Sequence, residues 1–135
     1  MVSSTELSKQ PPIVAVVDDD AAVCNSLKFA LELEGFTVRT YASGAELFRA
    51  RDIAKCDCFV VDEKMPGMSG LEVIAEMREK HISAPAILII SQPSARVSAR
   101  AAKSRVPIVE KPLLGNTLVE RIREACSGLS DRKTS

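Results

Sequence analysis

Four charged residues of this sequence follow short apolar runs, and their side chains could together support attack by a nucleophile. They are Asp18, Asp19, Asp62 and Lys111. Asp62 closes the apolar run 58–61 and precedes a segment rich in Pro, Gly and Ser, so a lone carboxylate lies where a buried strand breaks into a turn. A carboxylate at the end of a buried strand, beside a turn, is where a nucleophile is expected. Acids from two strands and a lysine from a third can converge if the strands end at one edge of a sheet.

Mutual repulsion among the three carboxylates predicts that the site holds a cation. Two such charges 4 Å apart repel by roughly 1 to 4 kcal/mol in surroundings that range from water to a protein surface. Mg²⁺ suits the site because it prefers oxygen ligands and retains bound water, while Lys111 can supply further positive charge. Beside these cations, Asp62 could attack phosphorus and become an aspartyl phosphate. The sequence has no Gly-rich phosphate-binding loop, so we expect the phosphoryl group to arrive on another protein or a small molecule.

Apolar runs alternate with helical patterns through the central part of the sequence. Strands are predicted at 13–17, 36–41, 58–61, 86–90 and 106–109. The starts of the first three helices are indicated by Asp20 as an N-cap and by two pairs with capping-box spacing, Ser43 with Glu46 and Ser69 with Glu72. Gly35 is placed to end the first helix. This alternation predicts an α/β fold, an open parallel sheet covered on both faces by helices, with its site beyond the carboxyl ends of the strands.

Length and composition indicate one domain without a general attraction to nucleic acid or membranes. The chain has 135 residues, enough to bury a core without disulfide bonds, and its 18 Lys and Arg residues balance 18 Asp and Glu residues. No apolar stretch approaches membrane length and no signal peptide is recognisable, so we expect a cytoplasmic protein. We place the folded domain at 13–126, between flexible tails at 1–12 and 127–135. The cysteines are expected to be free thiols, buried for the most part: Cys24, Cys56, Cys58 and Cys126.

Three segments resemble the receiver domains of bacterial two-component response regulators in their order and approximate spacing. They are residues 16–20, 61–71 and 110–112, which contain the clustered acids, Asp62 and the lysine that precedes a proline. The resemblance covers about residues 13–126. In local detail the sequence is similar to receivers of the nitrogen-fixation regulators. It implies a flavodoxin-like, doubly wound sheet of five parallel strands in the order 2-1-3-4-5. It also implies a signalling domain rather than an enzyme, apart from self-catalysed phosphotransfer and autodephosphorylation.

The resemblance implies a role for each charged residue of the predicted site. Asp62 would be the phosphoacceptor and Lys111 would bind the phosphoryl group, and the peptide bond between Lys111 and the following proline is expected to be cis. Mg²⁺ would be bound directly by Asp19 and Asp62, through water by Asp18, and by the backbone carbonyl of Lys64. The phosphodonor would be a sensor histidine kinase or a histidine phosphotransfer protein.

Two positions depart from the family pattern. Relatives usually carry Thr or Ser at the end of the fourth strand, where this sequence has Ile90, and Ser91 could replace that hydroxyl only if the strand slips or bulges by one residue. Three residues before the lysine, relatives commonly carry Tyr or Phe, whereas this sequence has Ile108. We therefore expect phosphorylation with an altered readout.

A basic stretch on the predicted fourth helix is a candidate surface for a partner. It contains four cations and no acid: Arg96, Arg100, Lys103 and Arg105. Such a stretch is usually a solvated face, but in receiver domains the fourth helix, fifth strand and fifth helix often form the surface that meets a downstream protein. An acidic protein could dock here, and a homodimer is left open. No helix-turn-helix motif follows the fifth helix in the sequence, so we expect a stand-alone receiver that does not bind DNA directly, unless the sequence is a fragment of a longer regulator.

Other interpretations compete with a phosphorylated receiver. A domain of this fold could bind a partner without a phosphorylation switch, which Ile90 and Ile108 favour. Asp18 and Asp20 also resemble the start of haloacid-dehalogenase-like phosphatases, although the chain is short for that fold. Taken alone, an acidic run is ordinarily a solvated turn, and Cys56 with Cys58 lacks the second pair of ligands that a zinc site needs.

Overall fold

The apolar runs form a parallel sheet, and helices occupy the intervals between them. The computed structural model describes residues 10–113 and 116–134. Its strands are β1 Ile13–Val17, β2 Thr37–Tyr41, β3 Cys58–Asp62, β4 Ala86–Ile90 and β5 Ile108–Glu110. Its helices are α1 Ala21–Leu33, α2 Gly44–Arg49, α3 Gly70–Glu79, α4 Ala95–Lys103 and α5 Thr117–Thr134, with a short 3-10 turn at Ile53–Lys55.

The strands pair in the order β2-β1-β3-β4-β5, and every pairing is parallel. Val17 at the end of β1 pairs with Val61, while Asp62 at the end of β3 pairs with Ile89. Because the strands run in the same direction and in close register, their carboxyl ends form one edge of the sheet. The doubly wound fold and strand order expected from the sequence are confirmed.

Both faces of the sheet are buried, which explains the absence of polar alternation in the strands. Side chains on one face pack with apolar residues of α1 and α5, among them Leu31 and Ile122. Side chains on the other face pack with residues of α2, α3 and α4, among them Leu47 and Met77. Two hydrophobic cores therefore hold the sheet between them and fix the positions of the strand ends.

The predicted helix signals are present, with one difference in detail. Asp20 caps α1 by accepting hydrogen bonds from two backbone N–H groups of its first turn. Ser69 and Glu72 form a reciprocal capping box at the start of α3. Ser43 caps α2, but the carboxylate of its partner Glu46 accepts a hydrogen bond from the backbone one residue before Ser43. Gly35, with φ at +98°, directly follows Glu34, the C-cap of α1, as expected for a residue that ends the helix.

The fifth strand was predicted wrongly at 106–109, since it spans Ile108–Glu110. The backbone N–H of Val106 donates to Ala101 and thereby completes the end of α4, so it is unavailable to the sheet. Pro107 has no N–H and contributes only its carbonyl, which accepts a hydrogen bond from Leu88. Apolar character alone cannot separate such a connector from the strand that follows it.

At the two ends of the chain, the predicted tails were placed by composition alone. Residues 1–9 of the predicted tail at 1–12 lie outside the described residues. Helix α5 continues past Cys126 to Thr134. The limits of the domain at 13–126 therefore stay a prediction.

The cysteines are free, as expected from the sequence. Cys24, Cys56 and Cys58 are buried, and Cys126 is half-buried. Burial raises the pKa of Cys56 to about 11 and raises that of Cys58 further. These thiols stay protonated at neutral pH, which suits packing and not metal binding. Among the described residues, no helix combines the length and apolarity required to span a membrane.

Candidate functional site

The ends of β1 and β3 bring three carboxylates together at one edge of the sheet. Asp62 is the last residue of β3, and Asp18 and Asp19 follow the last residue of β1. One oxygen from each of the three carboxylates lies within 4.8 Å of the other two. Asp18 and Asp62 are only 3% and 5% exposed, whereas Asp19 is exposed. The convergence expected from the sequence is thus present, and it combines two buried acids with one that water can reach.

Lys111 reaches this acidic cluster from the end of β5. Its Nζ lies 3.0 Å from Oδ1 of Asp62 and 3.6 Å from Oδ2 of Asp18, so one ammonium group bridges the two buried acids. The peptide bond between Lys111 and Pro112 is cis, as expected. The interaction is charge-assisted and largely shielded from water, which makes it stronger than an exposed ion pair.

Burial and neighbouring charges shift the pKa values of this group. Burial raises the pKa of Asp62, the hydrogen bond from Lys111 opposes that rise, and the charge of Asp18 adds to it. Burial alone would lower the pKa of Lys111, but its hydrogen bond to Asp62 and the charges of Asp62 and Asp18 outweigh burial, so its pKa is raised. Lys111 therefore keeps its positive charge at neutral pH, and Asp62 is more basic than an ordinary aspartate.

Backbone hydrogen bonds hold the acidic segment after β1. The N–H of Asp18 donates to the carbonyl of Tyr41 on β2 over 3.0 Å, and Oδ1 of Asp18 accepts the N–H of Asp20 over 2.9 Å. The thiol of Cys24 donates to the carbonyl of Asp18 over 3.2 Å. Sequence reasoning placed Cys24 only in the core, because no sequence signal predicts a thiol hydrogen bond to a backbone six positions earlier.

The segment after Asp62 is fastened to the start of α3. The N–H of Gly70 donates to the carbonyl of Glu63 over 3.0 Å, and the carboxylate of Glu63 accepts the N–H of Leu71 over 2.9 Å. A Cβ on Gly70 would lie 2.6 Å from the carbonyl oxygen of Asp62 and 2.7 Å from a methyl carbon of Leu88. This close approach requires glycine and holds the strand end of Asp62 against the helix. Sequence reasoning assigned no role to Glu63 or Gly70.

The end of β4 differs from its neighbours because it is apolar. Ile90 is 5% exposed, is the last residue of β4 and pairs with Glu110. Pairing along the strand is continuous, without a slip or bulge, and Ser91 lies exposed beyond the strand. Ile108 is half-buried and pairs with Leu88.

A cleft of about 560 Å³ separates the loop after β3 from the loop after β4. Lys64 and Met65 line one side, and Ile90 and Ser91 line the other. Lys64 is exposed and lies two residues after Asp62. The predicted switch hydroxyl of Ser91 and the predicted carbonyl ligand of Lys64 are thus both in loops beside the acidic cluster.

Curated proteins of known sequence are similar to this chain. The transcriptional regulatory protein FixJ of Rhizobium meliloti is 30% identical over 117 residues, which is 86% of this chain and 57% of that protein. The C4-dicarboxylate transport transcriptional regulatory protein DctR of Rhodobacter capsulatus is 30% identical over 110 residues, 79% of this chain and 56% of that protein. The chain thus spans about half the length of the curated relatives it matches.

Solved structures of response regulator proteins superpose on this chain. The structure of FixJ-N superposes with a TM-score of 0.78 at 30% identity and covers 88% of this chain and 96% of that one. Response regulator protein TrrA from Thermotoga maritima, in complex with Mg²⁺ and BeF, superposes with a TM-score of 0.75 at 29% identity, covering 84% of this chain and 98% of that one. The sequence model of the response regulator receiver domain matches residues 14–123. Since that match includes all five strands except Ile13, together with the acidic edge, the chain belongs to the response regulator receiver domain family of two-component systems.

Proposed function

We propose that this domain accepts a phosphoryl group on Asp62 from a histidine kinase or a histidine phosphotransfer protein. The observation that carries the proposal is the buried ion pair in which Lys111 lies 3.0 Å from Asp62, beside two further carboxylates. A buried acid at a strand end, with one cation in contact and a raised pKa, is an oxygen nucleophile held next to positive charge. Structural ion pairs also perturb pKa values, so the proposal depends on the whole arrangement and not on the pKa alone.

The donor set fits a hard divalent cation. Three carboxylate oxygens within 4.8 Å of one another, partly open to water at Asp19, provide the oxygen ligands and the access for water that Mg²⁺ requires. Asp19 and Asp62 would bind the ion directly, Asp18 would bind it mainly through water, and the backbone carbonyl of Lys64 would complete the protein ligands. When bound, Mg²⁺ would neutralise negative charge on the phosphoryl oxygens.

The residues of the chain perform the transfer. An oxygen of Asp62 forms a bond to phosphorus while the phosphorus–nitrogen bond of the phosphohistidine breaks, and the departing imidazole nitrogen takes up a proton. Lys111 moves its hydrogen bond from the carboxylate of Asp62 to a phosphoryl oxygen. The negative charge of the phosphoryl group then takes the place of the carboxylate charge that Lys111 neutralises in the unphosphorylated protein. Slow hydrolysis then returns Asp62 to the carboxylate form.

The readout of phosphorylation is altered by Ile90 and Ile108. A hydroxyl at the end of β4 could follow the new phosphoryl group, but Ile90 has none and is packed. Ser91 could reach the group only after the loop beyond β4 rearranges into the neighbouring cleft. We propose that the signal is carried by a changed surface formed by α4, β5 and α5, where a downstream protein binds. The predicted cytoplasmic location and the homodimer stay predictions.

The packed position of Ile90 also favours a second candidate function. If the packed Ile90 prevents the end of β4 from responding to Asp62, the domain is a binding module that needs no phosphorylation. In that case the partner would bind the wild-type protein and Asp62→Asn equally. The phosphatase interpretation is not supported, because Asp20 caps α1 and is absent from the acidic cluster.

One labelling experiment tests the primary proposal. The wild-type protein should become phosphorylated by a small-molecule phosphodonor with Mg²⁺, and Asp62→Asn should abolish the label. The matched control is Asp20→Asn, because asparagine is also a good N-cap and the residue lies outside the cluster. Titration with beryllofluoride, followed by NMR, shows whether amide shifts spread from Asp62 to α4. Label retained by Asp62→Asn would move the phosphoacceptor elsewhere.

A further inference from the structure

Helix α4 presents a cationic stripe on its solvent-facing side. Arg96, Arg100 and Lys103 are exposed and recur at the i, i+4 and i+7 positions, so they share one face over a rise of about 10 Å. Ala99 lies exposed on the same face between them. The opposite face contains Ala101, which is fully buried against the sheet. The stripe therefore points away from the core and has small residues among its cations.

No nearby acid neutralises the stripe. The segment 91–109 contains no Asp or Glu, although acids and bases are equal in number over the whole chain. Within the described part of the chain, Arg39, Arg121 and Arg123 each form an ion pair with a carboxylate, whereas none is formed by the cations of α4. An unneutralised cluster of like charges is left to attract negative charge from outside the domain.

Glu72 is an acid whose pKa is affected by a cation of this stripe, but its carboxylate is already hydrogen-bonded at the start of its own helix. The pKa of Glu72 on α3 is lowered first by its hydrogen bonds with Ser69 and then, to a smaller extent, by the charge of Arg100. Its carboxylate accepts the N–H of Ser69 over 2.8 Å as part of the capping box. Glu72 therefore serves its own helix and does not form an ion pair with Arg100.

Arg105 adds a fourth cation at a backbone position that stability alone would give to glycine. It follows the C-cap of α4 with φ at +59°, in the left-handed region, which costs a non-glycine residue roughly 1 to 2 kcal/mol. His81 has φ at +63° in the same position after α3. Arg105 is exposed, so its positive charge extends the stripe beyond the end of α4.

We propose that the cationic stripe of α4, defined as Arg96, Arg100, Lys103 and Arg105, binds an acidic segment of a partner protein. A helix with carboxylates at the i, i+4 and i+7 positions matches the spacing of the cations, and Ala99 lets it approach closely. The proposal names the chemistry of the partner for the surface assigned to a downstream protein above, and it does not require phosphorylation of Asp62.

A protein partner fits this stripe better than a nucleic acid does. The sequence has a pI of about 6.6, so no general positive field surrounds the domain. The residues between the cations of α4 are alanine, serine and one valine, which offer neither aromatic stacking nor amide groups for reading bases. Binding of nucleic acid is therefore the alternative outcome of the test.

The probe is an alanine-based helical peptide with glutamates at i, i+4 and i+7, compared with the same peptide carrying glutamines. Affinity is measured by fluorescence anisotropy, and NMR locates the contact. We expect amide shifts over 95–105, binding that weakens with salt, and an affinity about tenfold lower for Arg96→Glu with Arg100→Glu. The control is Arg49→Glu with Arg51→Glu, which changes net charge equally and should lower the affinity less than about twofold.

A second pair of variants separates charge from stability. Arg105→Gly and His81→Gly both remove a strained backbone conformation and should not destabilise the fold. Arg105→Gly should weaken peptide binding, whereas His81→Gly should leave it unchanged. The proposal would be overturned by an equal loss of peptide affinity in the two charge-reversed proteins or by an unchanged affinity of Arg96→Glu with Arg100→Glu. It would also be overturned if a short DNA duplex bound more tightly than the peptide. Asp62→Asn should bind the peptide normally, so failure of phosphorylation would be seen separately in the labelling experiment.

Discussion

Two strand ends at the same edge of the sheet have opposite characters. At the end of β3, Asp62 is buried in an ion pair with Lys111 and faces two further acids. At the end of β4, one strand away, Ile90 is equally buried but apolar, and the nearest hydroxyl belongs to exposed Ser91 in the loop. The contrast teaches that the groups that would accept a phosphoryl group and the groups that would report it occupy separate strands, so one set can change while the other is kept.

The largest expected effect comes from removing the cation at the β3 end. Lys111→Ala should lower the rate of labelling by a small-molecule phosphodonor by about 100-fold, because no ammonium remains beside the phosphoryl oxygens. Lys55→Ala, at an exposed lysine of the 3-10 turn and outside both the acidic cluster and α4, serves as the control and should label at the normal rate. A Lys111→Ala rate within about twofold of wild type would show that the ion pair is structural only.

Rigidity at the β3 end is tested by Gly70→Ala. The added Cβ would lie 2.6 Å from a backbone oxygen and 2.7 Å from Leu88, so the free energy of unfolding should fall by about 1 to 3 kcal/mol. Gly67→Ala is the control, since its Cβ would meet nothing within 4 Å and only its φ of +84° opposes alanine, at a cost of about 1 kcal/mol. Urea unfolding measures both. Equal costs would mean that the strand end can shift to make room.

The apolar character of the β4 end is tested by Ile90→Thr. Placing a hydroxyl in a packed position should cost about 1 kcal/mol of stability, and the rate of labelling should change less than about threefold. With beryllofluoride, amide shifts should extend further into α4 and β5 than in the wild-type protein. Ile90→Val controls for the lost methylene without adding a hydroxyl. Identical shift patterns for the two variants would contradict the separation of acceptor and readout.

The smallest expected effect concerns pH and stability in metal-free buffer. Burial raises the pKa of Asp62 in the folded state above its ordinary value of 3.8, which applies to the unfolded chain. At pH values between the unfolded-state pKa and the raised folded-state pKa, the folded protein holds a proton that the unfolded chain has lost. The free energy of unfolding attributable to Asp62 therefore falls as pH rises through this window and stays reduced above it. Asp62→Asn should be more stable than wild type near about pH 7, and the gain should disappear in acid. A gain that is independent of pH would contradict this cause.

Much of the β3 end could be predicted from local sequence. The positions of Asp18, Asp19, Asp62 and Lys111 each follow from an apolar run that ends in charge, and parallel strands must end at one edge. The β4 end could be predicted only in part. Sequence identified Ile90 as a departure, but whether the strand bulges to bring Ser91 into its place depends on pairing with β3 and β5, which is regular.

The remaining differences from the sequence-based expectations arise from contacts that residue type and periodicity do not reveal. The boundary of β5 was placed two residues early because Val106 is apolar, although its N–H closes α4. The requirement for glycine at position 70 arises from the carbonyl of Asp62 and the side chain of Leu88, which no local pattern contains. The thiol bond from Cys24 to Asp18 likewise depends on how α1 packs against β1.

Periodicity and side-chain chemistry over a few residues were enough to predict the alternation of strands and helices, the caps of the helices and the charged residues at the strand ends. The tertiary structure decided which of those residues touch, how deeply each acid is buried, and that the end of β4 stays regular around Ile90. The reason is physical: register, close packing and burial arise only when segments far apart in the chain are brought together.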